Sequence, residues 1–147
     1  MKIFATNKRA YFDYEILETY EAGVELFGFE VKAIKTGYIN LAGSYVVIKN
    51  NEAWLLNASV PPYQPANIRI AYNPLRTRKL LLHASELREL IGKSSQKGLT
   101  LVPLRVYAKK ARIKIEIGLA RNKKKQDKRE TIKRREAERE IDRSIKS

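Results

Sequence analysis

Residues 99–120 read LTLVPLRVYAKKARIKIEIGLA. The second half alternates, with Ile113, Ile115, Ile117 and Leu119 on one side and Lys114 and Glu116 on the other. A period of two marks a strand with one buried face, because successive side chains of an extended backbone point in opposite directions. The first half is apolar enough to be its partner, and Lys109, Lys110 and Ala111 stand between them as a turn. Pro103 has no N–H to give to a ladder, which predicts a sheet edge or a bulge at that point.

Working outward, residues 45–60 (YVVIKNNEAWLLNASV) repeat the pattern as a second hairpin, turning through Asn50, Asn51 and Glu52. Residues 14–28 (YEILETYEAGVELFG) read as a long first strand, bent or bulged near Gly23, where the missing side chain permits curvature. Two segments carry helical spacing instead. In GFEVKAIKTG, Val31 and Ile34 share a side and Gly37 is a natural left-handed cap. In SELRELIGK, Ser85 is the expected N-cap, Leu87, Leu90 and Ile91 fall at i, i+3 and i+4, and Gly92 is the expected end. The stretch PPYQPANIRIAYNPLRTR holds four of the five prolines and reads as an irregular loop. About six strands in sequence-adjacent hairpins, with two or three short helices, predict a mainly β fold: a closed or partly closed antiparallel barrel. Trp54, inside an apolar run, is expected in the core.

The chain of 147 residues carries 30 Lys or Arg against 16 Asp or Glu, a formal charge of +14. Like charges repel in a compact state, so such a surplus points outward, to a polyanion. It is spread over both parts of the chain. Residues 120–147 hold 12 basic and 6 acidic residues, and residues 1–119 hold 18 and 10. Within the body, basic clusters occur at Asn7, Lys8 and Arg9 and again at Arg76, Arg78 and Lys79; a third, Arg121 to Lys125, opens the tail.

The tail, residues 120–147, has a stripe of only Ile132, Ala137, Ile141 and Ile145. So narrow a stripe does not offset the roughly 1–2 kcal/mol per residue needed to order a backbone. The local helix signals are nevertheless good. Asp127 and Glu130 have capping-box spacing, and Glu130–Arg134 and Asp142–Lys146 are i,i+4 pairs in the favourable order. The expectation is a barrel domain over 1–119 and a tail over 120–147 that is flexible alone and helical on a partner.

Catalytic patterns are missing. Cysteine is absent and His83 is the sole histidine, read as a loop or helix-start residue. Asp13 is the one aspartate before the tail, and no phosphate-cradling glycine loop occurs. The chain is therefore expected to be no enzyme and to hold no metal or other cofactor. The N-terminus has no apolar core of signal-peptide length and no run could span a bilayer, so a soluble, cytoplasmic protein without a membrane partner is expected. The tail lacks the Trp, Phe or Leu face of a membrane-surface helix.

Five stretches resemble the SsrA-binding protein (small protein B) family: NKRAYFDYEILETYEAG, GFEVKAIKTGYINLAGSYV, NPLRTRKLLLH, ELIGKSSQKGLTLVPLRVY and IEIGLARNKKKQDKRETIKRRE, in that order and together spanning nearly the whole chain. The resemblance implies an oligonucleotide-binding-type barrel that binds transfer-messenger RNA and delivers its tRNA-like half to the A site of a stalled ribosome. Trans-translation then tags the nascent peptide. It implies RNA contacts at Glu21, Leu81 and Lys114, with Asn7, Lys8, Arg9, Arg76, Arg78 and Lys79 as companions. It also implies a ribosome-contacting tail of Lys123, Lys124, Gln126, Asp127, Lys128 and Arg129, facing the decoding centre and message channel, with Gly118 as a hinge before it. The free protein is expected to be a monomer. Three positions depart from the family pattern: Gln126 where an aromatic residue or histidine is common, Asn122 for glycine and Ala33 for serine. A ribosomal or ribosome-assembly RNA-binding protein would share the basic barrel and tail, and is the alternative.

Overall fold

The computed structural model describes residues 2–63 and 71–123, together with 129, 132–137 and 139. Within them lie β1 (Lys2–Thr6), α1 (Lys8–Asp13), β2 (Tyr14–Val24), α2 (Gly28–Lys35), β3 (Tyr45–Lys49), β4 (Glu52–Leu56), β5 (Arg78–Leu81), α3 (Ala84–Ser94), β6 (Leu99–Lys109) and β7 (Arg112–Asn122). The seven strands form one antiparallel sheet in the order β1-β6-β7-β2-β5-β4-β3. The sheet curls until β3 approaches β6, a partly closed barrel. Its interior is filled by Tyr20, Ala22, Leu55, Leu80, Leu101, Val106, Ile113, Ile115, Ile117 and Leu119, with Ile34 of α2 and Leu90 of α3 closing the openings.

Both hairpins turn on two residues in the left-handed region, Asn50 and Asn51 (φ 54° and 59°) and Lys110 and Ala111 (φ 50° and 65°). That backbone matches the twist of paired strands. Glu52 and Lys109, expected in the turns, are already paired strand residues.

Bulges decide which faces are covered. Val102 and Leu104 pack on the outer face with Ala10 of α1 and Ala120, while Leu101 and Val106 face the interior. Val106 follows Leu101 by five positions, an odd step that strict alternation would put on opposite faces. The register shift between Pro103 and Arg105 restores them to one side. Pro103 thus sits at a bulge, but in a strand paired on both sides rather than at an edge. Asn7 fastens α1 there: its N–H donates to Leu104 O (2.7 Å), its Nδ2 to Pro103 O (2.9 Å), and its Oδ1 accepts from Ala10 N (3.3 Å) as the N-cap. The irregularity in β2 lies between Ile16 and Glu18, not near Gly23. It moves Ile16 to the α1 side and Tyr20 and Ala22 to the interior.

Other expectations are corrected. β1 and α1 precede the long strand that was read as the first. Helix α3 starts after His83, two residues before the expected Ser85 cap, and Gly92 lies inside it rather than ending it. Trp54 is half-buried, because Ala53 and Leu55 take the inward positions of β4. Gly118 is no hinge. It is paired with Val102 and Thr19 in mid-strand, and a Cβ there would stand 3.0 Å from Leu104 Cδ1 and 3.3 Å from Ile16 Cγ2. Gly118→Ala should therefore destabilise the fold by about 1–3 kcal/mol through overpacking, seen as an earlier denaturant midpoint with an unchanged slope. A gain in stability would refute that account.

Strand β7 continues to Asn122, and Lys123 N donates to Asp13 O at 2.9 Å, so the sheet takes in residues beyond the expected boundary at 119. Residues 132–137 are helical and exposed, and the Arg135 guanidinium stands 5.6 Å from the Phe12 ring centroid.

Candidate nucleic-acid interface

Cross-strand register assembles the site. On the outer face, Leu81 of β5 pairs with Gly23 of β2, Gly23 with Lys114 of β7, and Lys114 with Tyr107 of β6. The adjacent row runs Glu21, Glu116, Arg105 over β2, β7 and β6. Glu21, Leu81 and Lys114, far apart in sequence, thereby line one groove of about 720 Å³ with Gly23, His83, Glu86 and Arg112. Its floor is low because Gly23 has no side chain between Leu81 and Lys114; a Cβ there would meet Leu81 Cβ at an ordinary contact of 3.4 Å.

The chemistry of the groove is mixed. Leu81 leaves 46% of its surface exposed, an apolar platform beside cations. Glu21 accepts from Tyr107 Oη at 2.6 Å and from Lys109 Nζ at 3.4 Å. The Tyr107 hydrogen bond outweighs partial burial, and with help from Lys109 and Lys114 it holds the Glu21 carboxyl below the usual carboxylate range. An ionised carboxylate only accepts, so it meets base N–H groups, whereas Lys114 and Arg112 offer donors to phosphate. His83 enters as the residue preceding α3.

The companion residues do not join this groove. Lys8 and Arg9 lie on α1, with Arg9 Nε donating to Asp13 Oδ2 at 2.9 Å. Lys79 points outward from β5 to Glu52, 3.2 Å away. Asn7 is buried as the α1 cap. Arg76 stacks over Phe27, 4.3 Å from its ring centroid, and donates to Glu30. Arg78, expected at an RNA surface, is 1% exposed and fully engaged within the protein. Its Nε and Nη2 donate to Glu30 Oε2 at 2.9 and 2.6 Å, Nη1 to Ala58 O, and Nη2 also to Tyr72 Oη and Pro74 O. The alternation of β5 explains it: Arg78 and Leu80 turn inward, Lys79 and Leu81 outward.

Glu30 is the centre of this network. It is fully buried, and accepts from Phe27 N (2.7 Å) and Tyr72 Oη (2.8 Å) besides the two arginines. Burial raises its pKa, but Arg76, the Phe27 amide, Arg78 and Tyr72 together outweigh this and leave the carboxyl lowered. Burial, with the same carboxylate beside it, pushes the Tyr72 phenol up to about 12. The network ties α2, β5 and residues 72–78 into one unit.

Of the tail residues, Lys123 donates to Tyr11 O (3.1 Å) and Arg129 is helical and exposed. Lys124, Gln126, Asp127 and Lys128 lie outside the described residues. Among the described residues no cluster of His, Cys, Asp and Glu could hold a metal ion, and no helix is long and apolar enough to cross a membrane. The sequence reading missed Gly23, Tyr107 and Arg112 as parts of the site; the signal was the strand register, which composition does not carry.

The profile of the family described as SmpB protein matches residues 4–147. An SsrA-binding protein of Trichodesmium erythraeum (strain IMS101) is 55% identical over 145 residues, covering 99% of this chain and 93% of that protein. One from Gloeothece citriformis (strain PCC 7424) is 54% identical, covering 99% and 94%. A solved chain from "tmRNA-SmpB: a journey to the center of the bacterial ribosome" superposes with a TM-score of 0.68 at 45% identity, covering 87% of this chain and 93% of that one. A curled sheet carrying a groove of mixed charge and an apolar platform, matched along its length by these proteins, leads to one assignment: the chain belongs to the SmpB protein family.

Proposed function

We propose that this chain binds transfer-messenger RNA through the groove of Glu21, Leu81 and Lys114 and serves trans-translation, bringing that RNA to stalled ribosomes. The observation that carries this is the row Leu81–Gly23–Lys114 beside Glu21, an apolar platform flanked by an acceptor and a cation. Single-stranded or splayed nucleotides need those three features, whereas a duplex read through its backbone needs only charge. The solved relative in the tmRNA-SmpB structure supports the same partner. Lys8, Arg9, Arg76 and Lys79, outside the groove, supply long-range attraction to phosphate, and Arg78 and Asn7 act by holding the scaffold. The tail, with Lys123, Lys124, Gln126, Asp127, Lys128 and Arg129, engages the decoding centre and an empty message channel. No covalent step is asked of the protein, which acts as a monomer in the cytoplasm.

The groove is tested without removing a charge. Gly23→Val places a β-branched side chain, at home in a strand, on the groove floor. Affinity for a fragment carrying the tRNA-like elbow should fall about tenfold, near 1.4 kcal/mol, while the melting temperature holds. A ribosomal RNA fragment of equal length at the same salt should bind more weakly to the unaltered protein and respond less to the substitution, because non-specific binding rests on charge. Equal affinities for both RNAs would favour a ribosomal or assembly role instead.

A further inference from the structure

We infer that Tyr107 is a positioning residue for RNA recognition, holding the Glu21 carboxylate in the orientation that meets a base edge. The inference rests on the groove being the RNA site. Tyr107 is 3% exposed, so its ring has no face to offer a nucleotide. Its hydroxyl nevertheless reaches Glu21 Oε2 at 2.6 Å, across from β6 to β2. It stands in the groove's own cross-strand row, opposite Lys114, with the Arg105 guanidinium 5.5 Å from its ring centroid.

A glutamate half-open to water has rotamers to choose from, and only some aim a lone pair into the groove. A buried phenol, fixed by its strand and by packing, selects among them. With Oε2 occupied by Tyr107, Oε1 is left with the long 3.4 Å contact to Lys109, a lysine exposed enough to swing aside. The oxygen offered to RNA is thus a pure acceptor, suited to adjacent N–H donors such as those on the Watson–Crick edge of an unpaired guanine.

The other ionisable groups around Glu21 and its groove are Lys109 on β6, Lys114 and Glu116 on β7, and Arg112, His83 and Glu86. Removing the phenol leaves these in place and moves the Glu21 carboxyl toward its ordinary range. Its charged fraction then falls at a higher pH than in the unaltered protein.

The experiment compares the unaltered full chain, Tyr107→Phe and Glu21→Gln for affinity to the tRNA-like elbow fragment at constant salt, from pH 7 to about 4.5, with a melting curve for each. The expected result is a loss of about five- to tenfold for Tyr107→Phe at pH 7, widening as the pH falls, while Glu21→Gln shows a loss that does not widen. Loss in Glu21→Gln with unaltered binding in Tyr107→Phe would overturn the positioning role and leave the groove reading standing. A Tyr107→Phe loss that is constant with pH and accompanied by a lowered melting temperature would also overturn it, as a packing effect. No loss in either variant would remove the groove as the RNA site, and this inference with it.

Discussion

Truncation after Lys123 should leave binding to transfer-messenger RNA largely intact and abolish peptide tagging on stalled ribosomes. The cut belongs there because β7 pairs through Asn122 and Lys123 N is bonded to Asp13 O; ending the chain earlier would damage the sheet. Residues 124–147 carry 10 basic and 6 acidic residues, so the shortened chain keeps +10 of its +14. The lost electrostatic attraction is therefore modest, within about tenfold in affinity at physiological salt. Tagging depends on a different contact. On the proposed reading the cationic tail engages an empty message channel, and an mRNA there would take the same space, so the contact reports vacancy. Gel-shift affinity and a tagging assay on ribosomes stalled at a message end measure the two separately. Loss of most RNA affinity on truncation would refute this separation of roles.

Glu30→Gln should be the most destabilising single substitution outside the hydrophobic core. The Arg78 guanidinium, 1% exposed, would keep its charge with no anion beside it. Breaking such a buried pair from one side costs about 3–5 kcal/mol. For a domain of this size that is a fall in melting temperature of roughly 10–20 °C. The double substitution Glu30→Gln with Arg78→Met should recover much of it, because the unpaired charge goes too, and Arg76 is exposed enough to turn to water. The pH dependence has a definite sign. The carboxyl is lowered in the folded state, so its contribution is complete above the ordinary glutamate value near about 4.3 and is lost as pH falls through the folded value. Glu30→Gln should accordingly flatten the acid limb of the stability curve and leave the neutral region displaced by a constant. Full stability in the single variant would show that the pair contributes little.

The hairpin over 99–122 was legible because Ile113, Ile115, Ile117 and Leu119 of β7 alternate without a break toward the interior, although Gly118 and Ala120 are buried on the other face as well. Asn50 and Asn51 announced the other hairpin for a related reason, since both tolerate left-handed backbone. The bulges were less visible. Only Pro103 marks one in sequence; the shift beside Leu17 has no such residue. β1 and α1 escaped because the strand is short and mostly exposed, and the six-residue helix buries Ala10 alone. Asn7 was the available signal for α1, and it was read as part of a basic cluster. Arg78 misled in the same way: a charge between Thr77 and Lys79 looks like surface until β5 is recognised and its period applied. For the groove, family resemblance supplied Glu21, Leu81 and Lys114. Residue spacing alone could not have done so, because their meeting is a product of register across three strands.

β7 runs without a register shift against β2 from Lys114 to Leu119 and carries on to Asn122. Eight residues of extended chain separate the groove lysine from the root of the tail, roughly 26 Å. With Leu104 and Ile16 packed against Gly118, that strand has no joint along the way. The protein is in this respect a caliper: on the proposed reading, RNA held at the groove and the point at residue 123 where the tail begins stand at a constant reach from each other. One extra residue in this strand would turn every side chain beyond it to the other face unless a bulge absorbed it, as bulges do in β2 and β6, so the gauge changes in steps of two or by a new bulge.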